Sequence, residues 1–62
     1  MIIRYKCLGY RLETPTEREE FSGEADIDVD NQMSISTALL DYIDTKYNLR
    51  RHLTLLDETE IL

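Results

Sequence analysis

The sequence predicts a small α+β domain, a single unit spanning residues 1–62, in which a three-stranded antiparallel sheet carries one helix on its apolar face. Segments 2–12 and 20–30 alternate in the manner of strands, and segment 34–47 has apolar residues at helical spacing. A third alternating segment, residues 49–56, follows the helix. The predicted order is therefore ββαβ.

The first predicted strand, residues 2–12, is rich in β-branched, aromatic and aliphatic residues. Because side chains alternate between the faces of a strand, its odd and even positions form two different surfaces. A polar connection, residues 13–19, contains the only proline and predicts a turn. The odd face carries Ile3, Tyr5, Cys7 and Gly9, and the even face carries Arg4, Lys6, Leu8 and Tyr10.

The second predicted strand, residues 20–30, has one apolar face and one nearly all-acidic face. This pattern is typical of a half-buried strand. The apolar positions are Phe21, Gly23, Ala25, Ile27 and Val29, and the acidic ones are Glu20, Glu24, Asp26, Asp28 and Asp30.

A hairpin with Leu12 opposite Glu20 matches opposite charges and apolar residues across the two strands. Each such cross-strand pair contributes roughly 0.2–1 kcal/mol, and a slip by one residue would mix the faces. The predicted pairs are Arg4–Asp28, Lys6–Asp26, Leu8–Glu24, Ile3–Val29, Tyr5–Ile27, Cys7–Ala25 and Gly9–Gly23.

The predicted helix, residues 34–47, begins at Ser34 or Ser36 as N-cap and ends before Asn48, a residue that tolerates the left-handed conformation. We expect Asp44 to face outward from this helix. A helix running back along the sheet returns the chain so that the third strand, residues 49–56, lies beside the first. This predicts the strand order 2-1-3.

The charge and cysteine content restrict the function classes. The chain has 13 Asp and Glu against 7 Lys and Arg, a net charge of −6. This balance argues against direct binding to nucleic acid, which depends on cations, and favours a protein partner with a basic surface. One cysteine excludes an intrachain disulfide. Without an apolar run of about 18 residues or a signal-peptide core, the sequence predicts a cytoplasmic protein that does not associate with membranes.

No pattern in the sequence indicates catalysis. Cys7 is predicted on the buried face and His52 outside it, so they form no nucleophile–base pair. No glycine-rich phosphate loop is present. The run from Asp26 to Asp30 resembles the opening of a calcium loop, but Asn31 occupies the glycine position and Thr37 the glutamate position. We therefore predict a protein that is not an enzyme and needs no metal or cofactor.

The acidic face suggests the function of a DNA mimic. Carboxylates at alternate strand positions are about 6.6 Å apart, comparable to two phosphate steps of a DNA strand. In topology and charge, the chain is similar to compact inhibitors from phages and other mobile elements that occupy DNA-binding clefts. The hypothesis is a small regulator or inhibitor that presents its acidic face to the basic surface of a nucleic-acid-handling protein. The residues of that face are Glu20, Glu24, Asp26, Asp28 and Asp30.

An apolar patch on the predicted solvent face comprises Leu8, Tyr10, Leu12 and Leu56. Such patches mark interfaces, unless a change of register beyond Gly9 or the C-terminal tail covers them. A second hypothesis follows, because the third strand is expected at an edge of the sheet. In that hypothesis the chain is a structural subunit that forms a homodimer through this strand.

Overall fold

A computed structural model describes residues 1–28 and 34–62 of the protein. Three strands form an antiparallel sheet in the order β2-β1-β3, with one helix on one of its faces. The predicted α+β class and the strand order 2-1-3 are confirmed. The elements are β1 (Ile2–Tyr10), β2 (Arg18–Asp26), α1 (Ile35–Tyr47) and β3 (Leu55–Ile61).

The β1–β2 hairpin closes earlier than predicted. Arg4 lies opposite Glu24 rather than Asp28, and Tyr10 lies opposite Arg18, so the predicted register is wrong. Turns within residues 11–17 account for this difference. In these turns the Thr14 N–H donates to the Arg11 carbonyl, and the Glu17 N–H donates to the Thr14 carbonyl. Because the shift is even, each side chain keeps its predicted face.

The odd face of β1 lies in the core. Ile3 and Cys7 are fully buried, and the helix residues Leu39 and Ile43 are buried with them. Burying each large aliphatic side chain stabilises the fold by about 1.5–3 kcal/mol. The complete set of buried apolar residues is Ile3, Tyr5, Cys7, Phe21, Ala25, Ile27, Leu39, Ile43 and Leu49.

Both ends of α1 are capped by the predicted residues. The Ser34 hydroxyl accepts a hydrogen bond of 3.1 Å from the Thr37 N–H. At the other end Asn48 adopts the left-handed conformation with φ of 57°, and its N–H donates to the Asp44 carbonyl. The Leu49 N–H donates to the same carbonyl at 3.0 Å. These bonds satisfy backbone groups that a helix end otherwise leaves unpaired.

The third strand lies at Leu55–Ile61, not at residues 49–56. The alternating leucines misled the prediction, because Leu49 packs beneath Gly9 of β1. A Cβ atom at Gly9 would lie only 2.9 Å from the Leu49 Cδ1 atom, so glycine allows this contact. Residues 49–54 form a connection, and the Arg50 N–H donates to the Tyr10 carbonyl at 2.8 Å.

A bulge interrupts the pairing of β3 with β1. Lys6 lies opposite Glu58 and Cys7 opposite Leu56, which leaves Asp57 as an extra residue between them. Because a bulge resets the alternation of faces, Leu56 turns toward the helix side while Glu58 turns to the opposite side.

Candidate protein-interaction surface

The face of the sheet opposite the helix, called the outer face below, is formed by alternate residues of all three strands. Within the described residues, α1 packs on the other face, and the side chains of the outer face are exposed or half-buried. A shallow groove of about 780 Å³ crosses the outer face. The side chains of the outer face that line this groove are Arg4, Lys6, Ser22, Glu24, Glu58 and Glu60.

The predicted acidic residues of the second strand have different positions in the structure. Glu20, Glu24 and Asp26 are exposed on the outer face of β2, as predicted. Asp28 is exposed but lies beyond the end of β2, because the strand ends at Asp26 rather than at residue 30. Asp30 lies outside the described residues.

Cations of the central strand offset part of the β2 acidic row. The Arg4 guanidinium lies 3.3 Å from the Glu24 carboxylate. The Lys6 ammonium lies 3.8 Å from the Glu20 carboxylate. Three of these side chains are more than half exposed and that of Lys6 is 39 % exposed, so each pair stabilises the fold by less than about 1 kcal/mol. Their effect on the outer face is therefore mainly to reduce the negative potential beside β2.

A second acidic row lies on β3 and was missed by the sequence reasoning. Glu58 and Glu60 stand on the outer face opposite Lys6 and Arg4. Among the described residues, neither glutamate has a cation within 4 Å. The signal in the sequence was the acidic run that begins at Asp57, but it shows no apolar alternation. This row, called the β3 acidic row, consists of Glu58 and Glu60.

The predicted apolar patch is rearranged. Leu8 and Tyr10 are half-buried on the outer face, and Leu12 is 55 % exposed beyond the end of β1. Leu56 does not belong to this patch, because it packs against the core on the helix side. Leu55 takes its place, since it lies opposite Leu8 and is 63 % exposed.

The ionisable groups in the interior form a separate cluster. Asp44 was expected to face outward, but it is only 9 % exposed and accepts a hydrogen bond from the Thr54 hydroxyl. Burial, reinforced by the nearby Asp44 carboxylate, raises the pKa of the Cys7 thiol. A thiol with a raised pKa stays protonated at neutral pH and is a poor nucleophile. His52 is exposed in the connection before β3.

Two tyrosines join the sheet to the helix. The hydroxyl groups of Tyr5 and Tyr47 are 2.7 Å apart and hydrogen-bonded. Burial, and then this hydrogen bond, raise the pKa of Tyr5. The Tyr47 ring also packs against Phe21, with ring centroids 4.5 Å apart. These contacts join β1 and β2 to α1.

Residues 1–28 and 34–62 contain no group of three His, Cys, Asp or Glu side chains placed to hold a metal ion. They also contain no helix with the length and apolar character needed to cross a membrane. Comparisons with protein-family models, curated proteins and solved structures found no significant match.

Proposed function

We propose that this protein is a stoichiometric protein-binding regulator or inhibitor whose partner has a basic surface. The observation that carries the proposal is the exposed outer face of the described residues, on which neither glutamate of the β3 acidic row has a cation within 4 Å. Beside that row, Leu8 and Leu55 provide exposed or half-buried apolar area. The proposal involves no catalytic step and no cofactor.

Charge and apolar area have different roles in this proposal. Complementary charges mainly raise the association rate and orient the partner. Buried aliphatic and aromatic side chains provide more of the affinity, and tyrosine is favoured at such sites. We therefore assign orientation to Glu58 and Glu60, and affinity to Leu8, Tyr10 and Leu55.

Proteins that handle nucleic acids are the proposed class of partner, because their binding clefts have dense positive charge. Carboxylates at alternate positions of the strand are about 6.6 Å apart, which suits a groove that follows a phosphate backbone. The net charge of −6 supports attraction to such a groove. By the same argument, the protein itself does not bind nucleic acid.

The proposal is tested by affinity capture from a lysate of the source organism at about 0.1 M and about 0.5 M salt. The decisive variant is Glu58→Gln with Glu60→Gln, and the matched control is Glu13→Gln with Glu17→Gln in the exposed connection. A captured protein is then purified and titrated calorimetrically.

We expect one-to-one binding to a basic protein, weakened by high salt and by the variant on β3 but not by the control. If the protein and duplex DNA compete for the same partner, the result would support the hypothesis that the protein is a DNA mimic. Equal losses in the two variants, or a partner without a basic surface, would contradict the proposal. A third variant, Asp26→Asn with Asp28→Asn, compares the last acid of β2 and the exposed Asp28 beyond it with the β3 acidic row.

The second candidate function is that of a homodimeric structural subunit. It is favoured by the position of β3 at an edge of the sheet, with exposed Leu55 and Ile61 near its ends. Sedimentation at increasing protein concentration tests it directly. A dimer that persists in high salt and dissociates when Leu55 is changed to Ser would favour this function over that of an inhibitor.

A further inference from the structure

The free edge of β3 presents backbone groups in a defined pattern. The Leu62 N–H donates to the Ile2 carbonyl at 2.9 Å, so the backbone groups of residue 62 point toward β1. Because these groups alternate in direction along an antiparallel strand, those of Thr59 and Ile61 point away from β1. Among the described residues, β3 pairs with β1 alone. Thr59 and Ile61 therefore offer two N–H donors and two carbonyl acceptors.

The side chains on either side of this edge differ in chemistry. Glu58 and Glu60 stand on the outer face. Thr59 and Ile61 stand on the helix side, where Ile61 remains 59 % exposed among the described residues. A strand added at this edge would thus have a carboxylate surface on one side and an apolar surface on the other.

We propose that β3 binds an extended segment of the partner by strand addition, with basic residues beside the β3 acidic row and apolar residues beside Ile61. The inference rests on the proposed function and specifies how the basic partner is held. Main-chain hydrogen bonds supply affinity in this mode of binding, and the alternating side chains supply specificity.

A second copy of the chain matches this edge less well than a basic segment. The β3 strands of two copies can pair antiparallel in two registers in which the free backbone groups of Thr59 form hydrogen bonds. Pairing Thr59 with Thr59 of a second copy sets Glu58 opposite Glu60 of that copy at two places. Pairing Thr59 with Ile61 of a second copy sets Glu60 opposite its own counterpart. Like charges directly opposite each other destabilise a sheet, whereas lysine or arginine at those positions would stabilise it.

The experiment titrates the whole protein with a peptide of about seven residues that alternates lysine and valine, the length of β3. Two control peptides have the same composition. In one, the lysines precede the valines, and in the other, alternate backbone nitrogens on one edge are methylated, so that their N–H donors are lost. Binding is followed by calorimetry and by amide hydrogen exchange of Thr59 and Ile61.

We expect the alternating peptide to bind and to slow exchange at these two amides. Methylation of the nitrogens should weaken binding at least about fivefold, since each hydrogen bond contributes about 0.5–1.5 kcal/mol. The variant with Glu58→Gln and Glu60→Gln should weaken it by about two- to thirtyfold. The control with Glu13→Gln and Glu17→Gln should bind as the wild type does.

The variant Thr59→Pro changes the protein rather than the peptide, and it tests whether the free edge of β3 is the binding site. The proline removes an N–H that points away from β1, so no hydrogen bond of the sheet is lost. A retained circular dichroism spectrum with loss of peptide binding is the expected result.

The outcomes separate the two proposals. Equal binding of the methylated and unmethylated peptides, with unchanged exchange at Thr59 and Ile61, would overturn strand addition while leaving electrostatic binding to the outer face. Failure of all three peptides to bind at low salt would contradict the proposal that the partner has a basic surface. Dimerisation through β3 at neutral pH without peptide would overturn the inference in favour of a second copy.

Discussion

The two edges of the sheet differ in how they are held. β2 has Phe21 and Ala25 buried under the helix, and two of its acids pair with cations of β1. β3 has no fully buried side chain, and Leu56 is its one half-buried residue. Its glutamates lack cation partners within the described residues. β2 is fixed by side-chain packing, whereas β3 is held mainly by backbone pairing with β1.

Because of this difference, we expect β2 to contribute to the stability of the fold and β3 to contribute to recognition of a partner. The buried side chains of β2, Phe21 and Ala25, cannot change without disturbing the core, because packed interiors tolerate little change in volume. Side chains of β3 contribute little to the core and are free to meet a partner. The following experiments test this contrast.

The largest expected effect comes from truncating one side chain on each edge. Phe21→Ala should lower the free energy of unfolding by about 3–5 kcal/mol, since the buried ring also packs against Tyr47. Ile61→Ala should lower it by less than about 1 kcal/mol, because Ile61 is more than half exposed. Urea unfolding measures both values. Equal losses would show that β3 is as firmly packed as β2.

A smaller effect is expected where the connection to β3 meets β1. In Gly9→Ala the new methyl group would lie 2.9 Å from the Leu49 Cδ1 atom and displace that buried side chain. We expect a loss of about 1–3 kcal/mol in the free energy of unfolding. The double variant Gly9→Ala with Leu49→Ala tests the cause, because removing the clash should make the two losses less than additive.

Alkaline pH should destabilise the buried part of the sheet through Cys7. The pKa of this thiol is higher in the folded state than in the unfolded chain. The folded state therefore keeps its proton as the unfolded chain loses it, and stability falls as the pH rises above about 8.5. The slope cannot exceed about 1.4 kcal/mol per pH unit for one group. Cys7→Ala should flatten the curve below about pH 10, where tyrosines begin to titrate. An unchanged slope would contradict this assignment.

The smallest effect distinguishes the two acidic rows. Glu24→Gln should lower stability by at most about 0.5 kcal/mol, because it removes an exposed ion pair with Arg4. Glu60→Gln should be neutral or slightly stabilising, since Glu60 has no such pair among the described residues. Thermal unfolding at low and high salt measures the difference, which should shrink as salt screens the charges. Equal effects of the two substitutions would show that the acids of β2 and the β3 acidic row do not differ in their electrostatic contribution to stability.

Polarity predicted which side chains share a face, but not how far one strand slides along its neighbour. Moving the register by an even number of residues keeps every face unchanged, so Arg4 could meet Asp28 or Glu24 on the same pattern. The turn at residues 11–17 decides between them, and a turn of this length has few sequence constraints. The helix caps at Ser34 and Asn48 were predictable because each depends on one local residue.

The candidate site was harder to predict because it involves an edge strand. β3 is exposed on both faces near Thr59, so it lacks the alternation that marks a half-buried strand. Leu49 belongs to a regular apolar pattern but packs under Gly9 outside any strand. Asp44 is buried, and its carboxylate accepts a hydrogen bond from Thr54 in the connection that follows the helix. Such partners depend on the fold as a whole.

The bulge at Asp57 has a consequence for the lifetime of the proposed complex. The regular edge beyond it is short, so a docked segment would gain only the few hydrogen bonds of Thr59 and Ile61. At a net 0.5–1.5 kcal/mol each, the four bonds contribute about 2–6 kcal/mol, which by itself corresponds to a dissociation constant no tighter than about 40 μM. With an association rate of about 10⁶ M⁻¹s⁻¹, a segment held by these bonds would leave within about 25 ms. Occupancy of the edge would then follow the concentration of the partner almost immediately.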